Sequence, residues 1–420
     1  PTKAFESLKD NKVLNYAKLN ASYTSVGNTS AVAAYETNEL TRIPTGFPYN
    51  GLSALAYNQF PTDPNVKPEY VNTFEVGGQF GFFKDRITLE ASYYVANTKD
   101  LISNVTASSF SGNQNLRSNI GDLENKGFEI DLGFVPVKTK DFRWDIRGNY
   151  STFKTKITKL ADGQTSIALQ SNSQIGIFAE VGEEFPLIKG TTFQRDANGN
   201  ILVDNNGAPL TNAPLSKLGK GVPDYIIGLT NSFEYKGFKL TAVADFRSGA
   251  STYSFAKNLL LFTGGDLDTA GFDRTQGYVV PGVNATTGLP NTVAYLWNNP
   301  GPNGMNGRTL DYFTTVHRAV GESSVVDAAA LKIRELSLSY ALPKKLIERA
   351  GLESLRFGVN ARNPFVFLAD GKLIKAKNGL ENNSYGDPEA SNTTGNAQGL
   401  MNIGQYPTTR TLGFSVNLTF

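Results

Sequence analysis

The last nine residues of the chain alternate without interruption between apolar and polar side chains. The apolar positions are Leu412, Phe414, Val416, Leu418 and Phe420. Because successive side chains of a β-strand point to opposite faces, this segment predicts a strand with one apolar and one polar face. A final strand of this kind, ending on an aromatic residue, is typical of a transmembrane β-barrel, in which the apolar face contacts lipid and the polar face lines the lumen.

The composition agrees with many short strands and turns, and it excludes several other classes of protein. The 420 residues include 41 Gly, 27 Phe and 18 Tyr, and no apolar run approaches the roughly 20 residues of a membrane helix. The absence of Cys excludes disulfides and thiolate chemistry, and a single histidine, His317, argues against a histidine-rich metal site. A net charge of +2 without a basic stripe argues against nucleic acid. We therefore predict no cofactor, no metal and no nucleic-acid partner.

Period-two alternation recurs along the whole chain and predicts about ten strands. They lie near residues 12–26, 69–83, 85–99, 119–135, 141–156, 222–235, 237–249, 326–342, 353–368 and 409–420. In the eighth segment the apolar positions change phase between Ile333 and Leu336, which predicts a bulge near Arg334 or Glu335.

Short and long connections alternate between these strands. The long ones are residues 27–68, 100–118, 157–221, 250–325 and 369–408, and they are rich in Gly, Asn, Thr and Pro. Outer-membrane barrels have short periplasmic turns and long extracellular loops, so we predict that these five segments are extracellular. Within the third, an Asn198-Gly199 pair between two apolar stretches predicts a hairpin.

The amino-terminal residues 1–12 are polar and show no signal peptide. Since an exported barrel needs one, we expect the chain to be a processed or partial piece of a longer protein.

Several motifs resemble those of SusC/RagA-like TonB-dependent outer-membrane transporters, and they follow the family's order across nearly the whole chain. The matching segments are 16–23 with 26–28, 67–69, 75–77, 85–87, 93–94, 98–102, 119–121 with 125–129, 331–334 with 336–340 and 342–343, 387–389 and 406–410. One departure is Asn363-Pro364-Phe365, where the family usually has Asn-Leu-Phe; the proline predicts that the strand leaves the sheet there.

The resemblance implies a fold and a set of partners. It implies that residues 1–420 are the carboxyl-terminal part of an all-β, antiparallel transmembrane barrel of about 22 strands, with the amino-terminal plug domain absent from this chain. It also implies location in the outer membrane of a Gram-negative bacterium. The expected partners are a SusD-like surface lipoprotein acting as a lid, TonB through the missing amino-terminal part, the remaining strands and plug, and membrane lipid. The expected cargo is an oligosaccharide or a peptide.

Two loop aromatics are the candidate substrate-binding residues. Trp297, with Tyr295 close to it in the sequence, belongs to the longest predicted loop, where exposed rings can stack on a sugar or anchor a partner protein. Ordinary loop packing is the alternative. Trp144 begins a strand and is interpreted as an aromatic residue of the membrane interface.

Charged residues on the polar faces of the strands could line a substrate path. The interpretation we favour is that they form cross-strand pairs in a wet or plug-filled lumen. They are Glu75, Glu90, Glu129, Asp131, Arg143, Arg147, Asp245, Arg247 and Arg356.

Asp196, Asn198 and Asn200 have the alternating spacing of a calcium loop. Ile201 and Gly207 stand where such a loop needs a glycine and a glutamate, so a hairpin turn is the favoured interpretation.

Catalysis by a Ser/His/Asp arrangement would require His317. Its partners would be Ser323 or Ser324 and Asp311 or Asp327, and no nucleophile motif surrounds them. We therefore predict that the chain is not an enzyme.

Two alternatives to a transporter remain open at this level. One is a self-closed ten-stranded barrel acting as an outer-membrane hydrolase through His317. The other is a soluble β-sandwich adhesin, which would bury its apolar stripes against a second sheet.

Overall fold

The computed structural model describes residues 11–38, 41–57, 61–106, 110, 113, 115–212, 214–270, 277–295, 312–376, 380–382, 386–389, 398–401, 406 and 408–420. The strands are β1 Leu14–Asn28, β2 Thr41–Arg42, β3 Ala56–Tyr57, β4 Glu69–Phe82, β5 Ile87–Thr106, β6 Asn115–Lys138, β7 Phe142–Leu160, β8 Ser166–Ser171, β9 Ile175–Glu180, β10 Leu187–Gly190, β11 Ile201–Val203, β12 Ser216–Lys220, β13 Tyr225–Tyr235, β14 Phe238–Ser248, β15 Ser251–Ser254, β16 Tyr278–Val279, β17 Gly282–Asn284, β18 Ala294–Tyr295, β19 Val325–Asp327, β20 Ala330–Ala341, β21 Ser354–Leu368, β22 Leu400–Met401 and β23 Thr411–Thr419.

Helices are few and short in the described residues. The α-helices are α1 Phe255–Thr263 and α2 Lys344–Ile347, and single turns of other helices occupy Ala161–Gly163, Leu267–Thr269, Tyr312–Val316, His317–Ala319, Gly321–Ser324 and Glu348–Ala350. No helix in these ranges combines the length and the apolar character needed to cross a bilayer. The all-β prediction is confirmed.

One antiparallel sheet of ten strands dominates the molecule. Its order is β1-β4-β5-β6-β7-β13-β14-β20-β21-β23, and each of the ten predicted segments overlaps one of these strands. Within the described residues the sheet is open, because its two outermost strands, β1 and β23, are not paired with each other. The described residues therefore do not form a self-closed ten-stranded barrel.

The register of the sheet aligns apolar side chains of neighbouring strands on one face. Phe233 lies opposite Leu240, Leu240 opposite Leu338, Leu338 opposite Val359, and Val359 opposite Phe414. We call this surface the outward apolar band. Its side chains are uncovered, with 44% of Leu338, 52% of Val359 and 69% of Phe414 exposed. A β-sandwich would bury such a band under a second sheet, so the adhesin alternative is not supported.

Short and long connections alternate between the ten strands. The short ones are 83–86, 139–141, 236–237 and 342–353, and the last of these contains α2. The prediction of a loop over 100–118 was too long, since β5 continues to Thr106 and β6 begins at Asn115. Two register shifts between Thr98 and Ile102 break the period-two pattern and conceal the strand in the sequence.

Three of the long connections, those after β7, β14 and β21, fold together at one end of the sheet. They contribute a four-stranded sheet in the order β12-β10-β9-β8 and a three-stranded sheet in the order β19-β15-β22. A cluster that we call the loop core joins them to β7; it includes Ile157, Ile177, Ile188, Tyr253 and Leu400. At most 3% of any of these side chains is exposed. These three connections are therefore packed against one another and are not separate loops.

Two local features of β20 and β21 bear on the predictions. The pairing of β20 skips Arg334 on both sides, so the predicted bulge is confirmed. The predicted departure of β21 at Pro364 is limited to two residues: the pairing with β20 skips Asn363 and Pro364 and resumes at Phe365, opposite Ile333. The pairing of β21 with β23 ends at Arg362, so the missing N–H of Pro364 is not needed on either side.

Candidate functional site on the inward face

The face of the sheet opposite the outward apolar band is polar and charged. Across strands, the amide of Gln79 donates to Glu90 at 3.0 Å and Lys239 pairs with Glu234 at 2.9 Å. Along β7, Arg143 pairs with Asp145 at 2.7 Å. Some of the predicted charges are thus paired, but in the described residues no ion pair involves Glu75, Glu129, Asp131, Arg147 or Arg356. The role of these charges in a substrate path stays a prediction.

The strongest concentration of charge on this face is an ion network that sequence analysis did not assemble. It joins β14 and β20 to the segment 386–389 of the last long connection, and its members are Asp245, Arg247, Lys332, Arg334, Asp387 and Glu389. The ion network balances three cations against three carboxylates.

Lys332 and Arg334 are the donors that hold the segment. The ammonium of Lys332 donates to Asp387 and to Glu389, each at 2.5 Å. The guanidinium of Arg334 donates to both oxygens of Glu389, at 2.6 and 2.9 Å, and also to both oxygens of Asp245. Arg334 thus bridges a strand carboxylate and a loop carboxylate in forked geometry, which a lysine could not do.

The bulge in β20 explains why Arg334 can reach the carboxylates of the ion network. Leu336 and Leu338 face outward, so an unbroken strand would also turn Arg334 outward. The extra residue shifts the phase and places Arg334 on the same face as Lys332. A bulge commonly changes the direction of a side chain next to a functional site, and here it places the guanidinium of Arg334 on the inward face.

Burial and pairing set the ionisation of the two loop carboxylates. Desolvation alone would raise the pKa of Glu389, but hydrogen bonds from Arg334 and Lys332 outweigh it and hold the pKa at about 2. Burial likewise opposes ionisation of Asp387, yet hydrogen bonds from Lys332 and Thr408 lower its pKa. Both carboxylates are therefore charged at neutral pH, and the ion network holds the segment 386–389 against β14 and β20.

His317 lies in a cluster of aromatic rings. Its ring lies 5.2 Å from that of Phe313, 5.8 Å from Phe193 and 5.9 Å from Tyr312, measured between centroids. Burial lowers the pKa of His317 from 6.5 to about 4.

The Ser/His/Asp arrangement is not assembled. Within the described residues His317 makes no hydrogen bond to Ser323, Ser324 or Asp327, and Asp311 lies outside them. The hydrolase alternative therefore has no support in the described structure.

Asp196 serves the turn that the sequence predicted. Its Oδ1 accepts from the backbone N–H of Asn198 at 2.9 Å and of Asn200 at 2.8 Å, while Arg195 pairs with Ile201 across the hairpin. The hairpin interpretation is confirmed.

The two candidate substrate-binding aromatics stay predictions. Trp297 lies outside the described residues, and so does the side chain of Tyr295. The backbone of Tyr295 pairs with Tyr278 in the two-stranded sheet of β16 and β18.

Comparison with known proteins identifies the family to which the chain belongs. The family described as "TonB dependent receptor-like, beta-barrel" matches residues 13–363. TonB-dependent receptor P3 of Formosa agariphila is 25% identical over 447 residues, which cover 98% of this chain and 40% of that protein. TonB-dependent receptor SusC of Bacteroides thetaiotaomicron is 28% identical over 304 residues, covering 64% of this chain and 28% of SusC. The chain thus spans about two fifths or less of the length of these relatives.

Solved structures show the same fold. The RagAB peptide importer in its "closed-closed" state superposes with a TM-score of 0.69 at 18% identity, over 98% of this chain and 42% of that one. Its "open-open" state gives a TM-score of 0.65 at 19% identity, over 98% and 41%. The resemblance to SusC/RagA-like transporters that the motifs indicated is confirmed, and the chain belongs to the TonB-dependent receptor β-barrel family.

Proposed function

We propose that this chain forms part of the wall and the extracellular loops of an active importer in the outer membrane of a Gram-negative bacterium. One observation carries the proposal: ten neighbouring strands of one sheet present an uncovered apolar band on one face and charged, partly paired side chains on the other. Hydrocarbon stabilises the first face and an aqueous or protein-filled lumen the second.

The open edges support the proposal that further strands complete the barrel. Each unpaired backbone group in hydrocarbon costs several kcal/mol, and each edge strand carries on the order of ten residues. We propose that the remaining strands of a longer protein close the sheet between β1 and β23 and that a plug domain occupies the lumen. TonB would act through that longer protein's amino-terminal part.

For the cargo we propose an oligosaccharide or a peptide, delivered under a SusD-like surface lipoprotein. The support is similarity alone, to SusC and to the RagAB peptide importer. Tyr295 and Trp297, on the longest connection, are the residues we propose to contact the cargo or the lid.

Uptake in cells tests the function. The gene for the whole protein is deleted and restored either intact or without the segment that engages TonB, and uptake of labelled peptide and oligosaccharide pools is measured. We expect the intact gene alone to restore uptake of one pool. Equal uptake by all three strains would contradict an importer, and equal restoration by both genes would contradict TonB dependence.

A further inference from the structure

A pocket of about 400 Å³ lies on the outward face of β6 and β7, at the edge of the outward apolar band. We call it the lysine pocket. Its lining includes two aromatic rings, one acid and three cations: Tyr93, Phe128, Glu124, Lys126, Lys154 and Lys156. It is separate from the ion network, which lies on the inward face.

The strand register turns the cations of the lysine pocket outward. Leu132, Ile130 and Phe128 continue the outward apolar band onto β6, where Leu132 and Leu229 of β13 are aligned through β7. Two residues beyond Phe128, towards the long connections, Lys126 pairs with Val95 of β5. No register shift interrupts β6 between Leu132 and Lys126, so Lys126 points to the same side as the apolar residues.

Aromatic rings border the outward apolar band at both of its ends. Tyr93 is exposed beside the lysine pocket, and Tyr225 stacks on Tyr150 with centroids 6.1 Å apart. Near the short turns, Trp144 stacks on Phe233 at 5.4 Å. Rings at such borders mark the level of lipid headgroups in membrane proteins, which is the interface position predicted for Trp144. The lysine pocket therefore lies where the apolar band ends and the headgroup region begins.

The positive charge of the lysine pocket is not balanced within the described part of the chain. Lys126 pairs with Glu124 at 2.9 Å, but no carboxylate of a described residue lies within ion-pair distance of Lys154 or Lys156.

The lysine pocket also contains a cross-strand pair of like charges. Lys126 and Lys154 are directly opposite each other on β6 and β7, and both are exposed on the outward face. Like charges in this position repel and destabilise the sheet. An anion bound between them would remove the repulsion.

We propose that the lysine pocket binds the phosphate of a lipid headgroup in the leaflet at the long-connection end of the sheet. The proposal rests on the membrane location proposed above, in which this leaflet is the outer one. Basic pockets at the edge of a membrane-spanning surface suit anionic headgroups. The outward apolar band favours a lipid over a free anion, because acyl chains would continue from the headgroup along Phe128 and Ile130.

Lipid binding to the whole protein tests the proposal. The protein is purified in detergent, lipid A is added as the phosphorylated lipid of the outer leaflet, and bound lipid is counted by native mass spectrometry. We expect Lys154→Gln with Lys156→Gln to weaken binding about 25-fold, since each lysine near a headgroup contributes roughly fivefold. The matched control is Lys138→Gln with Lys140→Gln, which removes the same charge at the short-turn end of β6. It should bind as the unmodified protein does.

Two further measurements separate binding from folding. Lys154 and Lys156 make no ion pair with a described residue, so their double variant should keep its unfolding temperature when no lipid is added. Added lipid A should raise the unfolding temperature of the unmodified protein more than that of the double variant, since a ligand of the folded state stabilises it. Glu124→Gln removes the acid of the pocket and frees Lys126, so it should tighten binding about fivefold.

Three results would overturn the lysine pocket as the site: equal affinity of the double variant and the unmodified protein, equal loss in the control, or unchanged or weaker binding by Glu124→Gln. Full displacement of lipid A by inorganic phosphate at equal concentration would overturn its specificity for a lipid. These readouts do not involve uptake, so the site and the importer proposal succeed or fail separately.

Discussion

At the scale of single residues, the chain's one histidine should make its stability depend on pH. Because burial lowers the pKa of His317 to about 4, the unfolded chain binds more protons than the folded chain between pH 6.5 and 4. Stability should therefore fall as the pH drops through this window. We expect His317→Phe, which keeps a ring in the aromatic cluster, to lose less stability than the unmodified protein between pH 7 and 4.5, measured as the unfolding temperature in detergent.

Tyr312→Phe is the control for this change, since it alters the same cluster without removing the imidazole. It should keep the full pH dependence. If the unfolding temperatures of His317→Phe and of the unmodified protein fell equally with pH, His317 would not be the source of the pH dependence.

A glycine of β6 should be intolerant of any side chain. Gly121 has φ of +149°, and a Cβ there would lie 2.1 Å from the carbonyl oxygen of Lys159 on β7. Gly121→Ala should therefore lower the free energy of unfolding by about 1 to 3 kcal/mol or more. Gly148→Ala is the comparison, because the nearest atom to its Cβ is 3.9 Å away, and it should cost less than about 1 kcal/mol. Thermal or denaturant unfolding of both variants measures the difference, and equal losses would contradict it.

At the scale of elements, the bulge of β20 and the segment 386–389 form one unit. Lys332 is 2% exposed and faces two carboxylates, so Lys332→Met leaves buried negative charge uncompensated. Losing one partner of a buried pair costs about 3 to 5 kcal/mol, and Arg334 and Arg247 would offset part of it at Glu389. We expect the segment 386–389 to detach, with hydrogen exchange there becoming at least about tenfold faster.

Lys372→Met is the matched control for the ion network. Lys372 pairs with Asp370 at 3.5 Å in the same connection, but 87% of its side chain is exposed. Exposed pairs contribute about 0 to 1 kcal/mol, so exchange should not change. Similar exchange in both variants would show that the ion network does not hold the segment.

Sequence analysis predicted the elements well and their long-range contacts poorly. The phase change after Ile333 located the bulge, since alternation is a local signal. The ion network pairs Lys332 with Asp387, 55 residues away, and no period in the sequence records that approach. The predicted end of β5 was too early for a different reason. Register shifts near Leu101 interrupt the alternation of apolar and polar residues from which strands were predicted.

At the scale of the whole molecule, the ten-stranded sheet has two chemically different faces. Its apolar band is continuous from strand to strand although the strands are far apart in the sequence. Short turns set the register of the hairpins β13–β14 and β20–β21, whereas β14–β20 and β21–β23 are joined by long connections and align through the apolar face that they share. The packing of the long connections into the loop core is not local, and it could not be predicted in the same way.

The same added charge should therefore cost much more stability on the outward face of β20 than on the inward face. Leu338 lies in the outward apolar band, and its neighbour Ser337 faces inward between Thr241 and Asn360. Leu338→Arg should destabilise the membrane-inserted protein by up to about 2 to 4 kcal/mol, the cost of arginine on a lipid-facing position near mid-bilayer. Ser337→Arg should cost less than about 1 kcal/mol, because its guanidinium can stay hydrated in the lumen. The folded fraction recovered in lipid vesicles over a urea series measures both, and equal losses would mean that hydrocarbon does not cover the outward face.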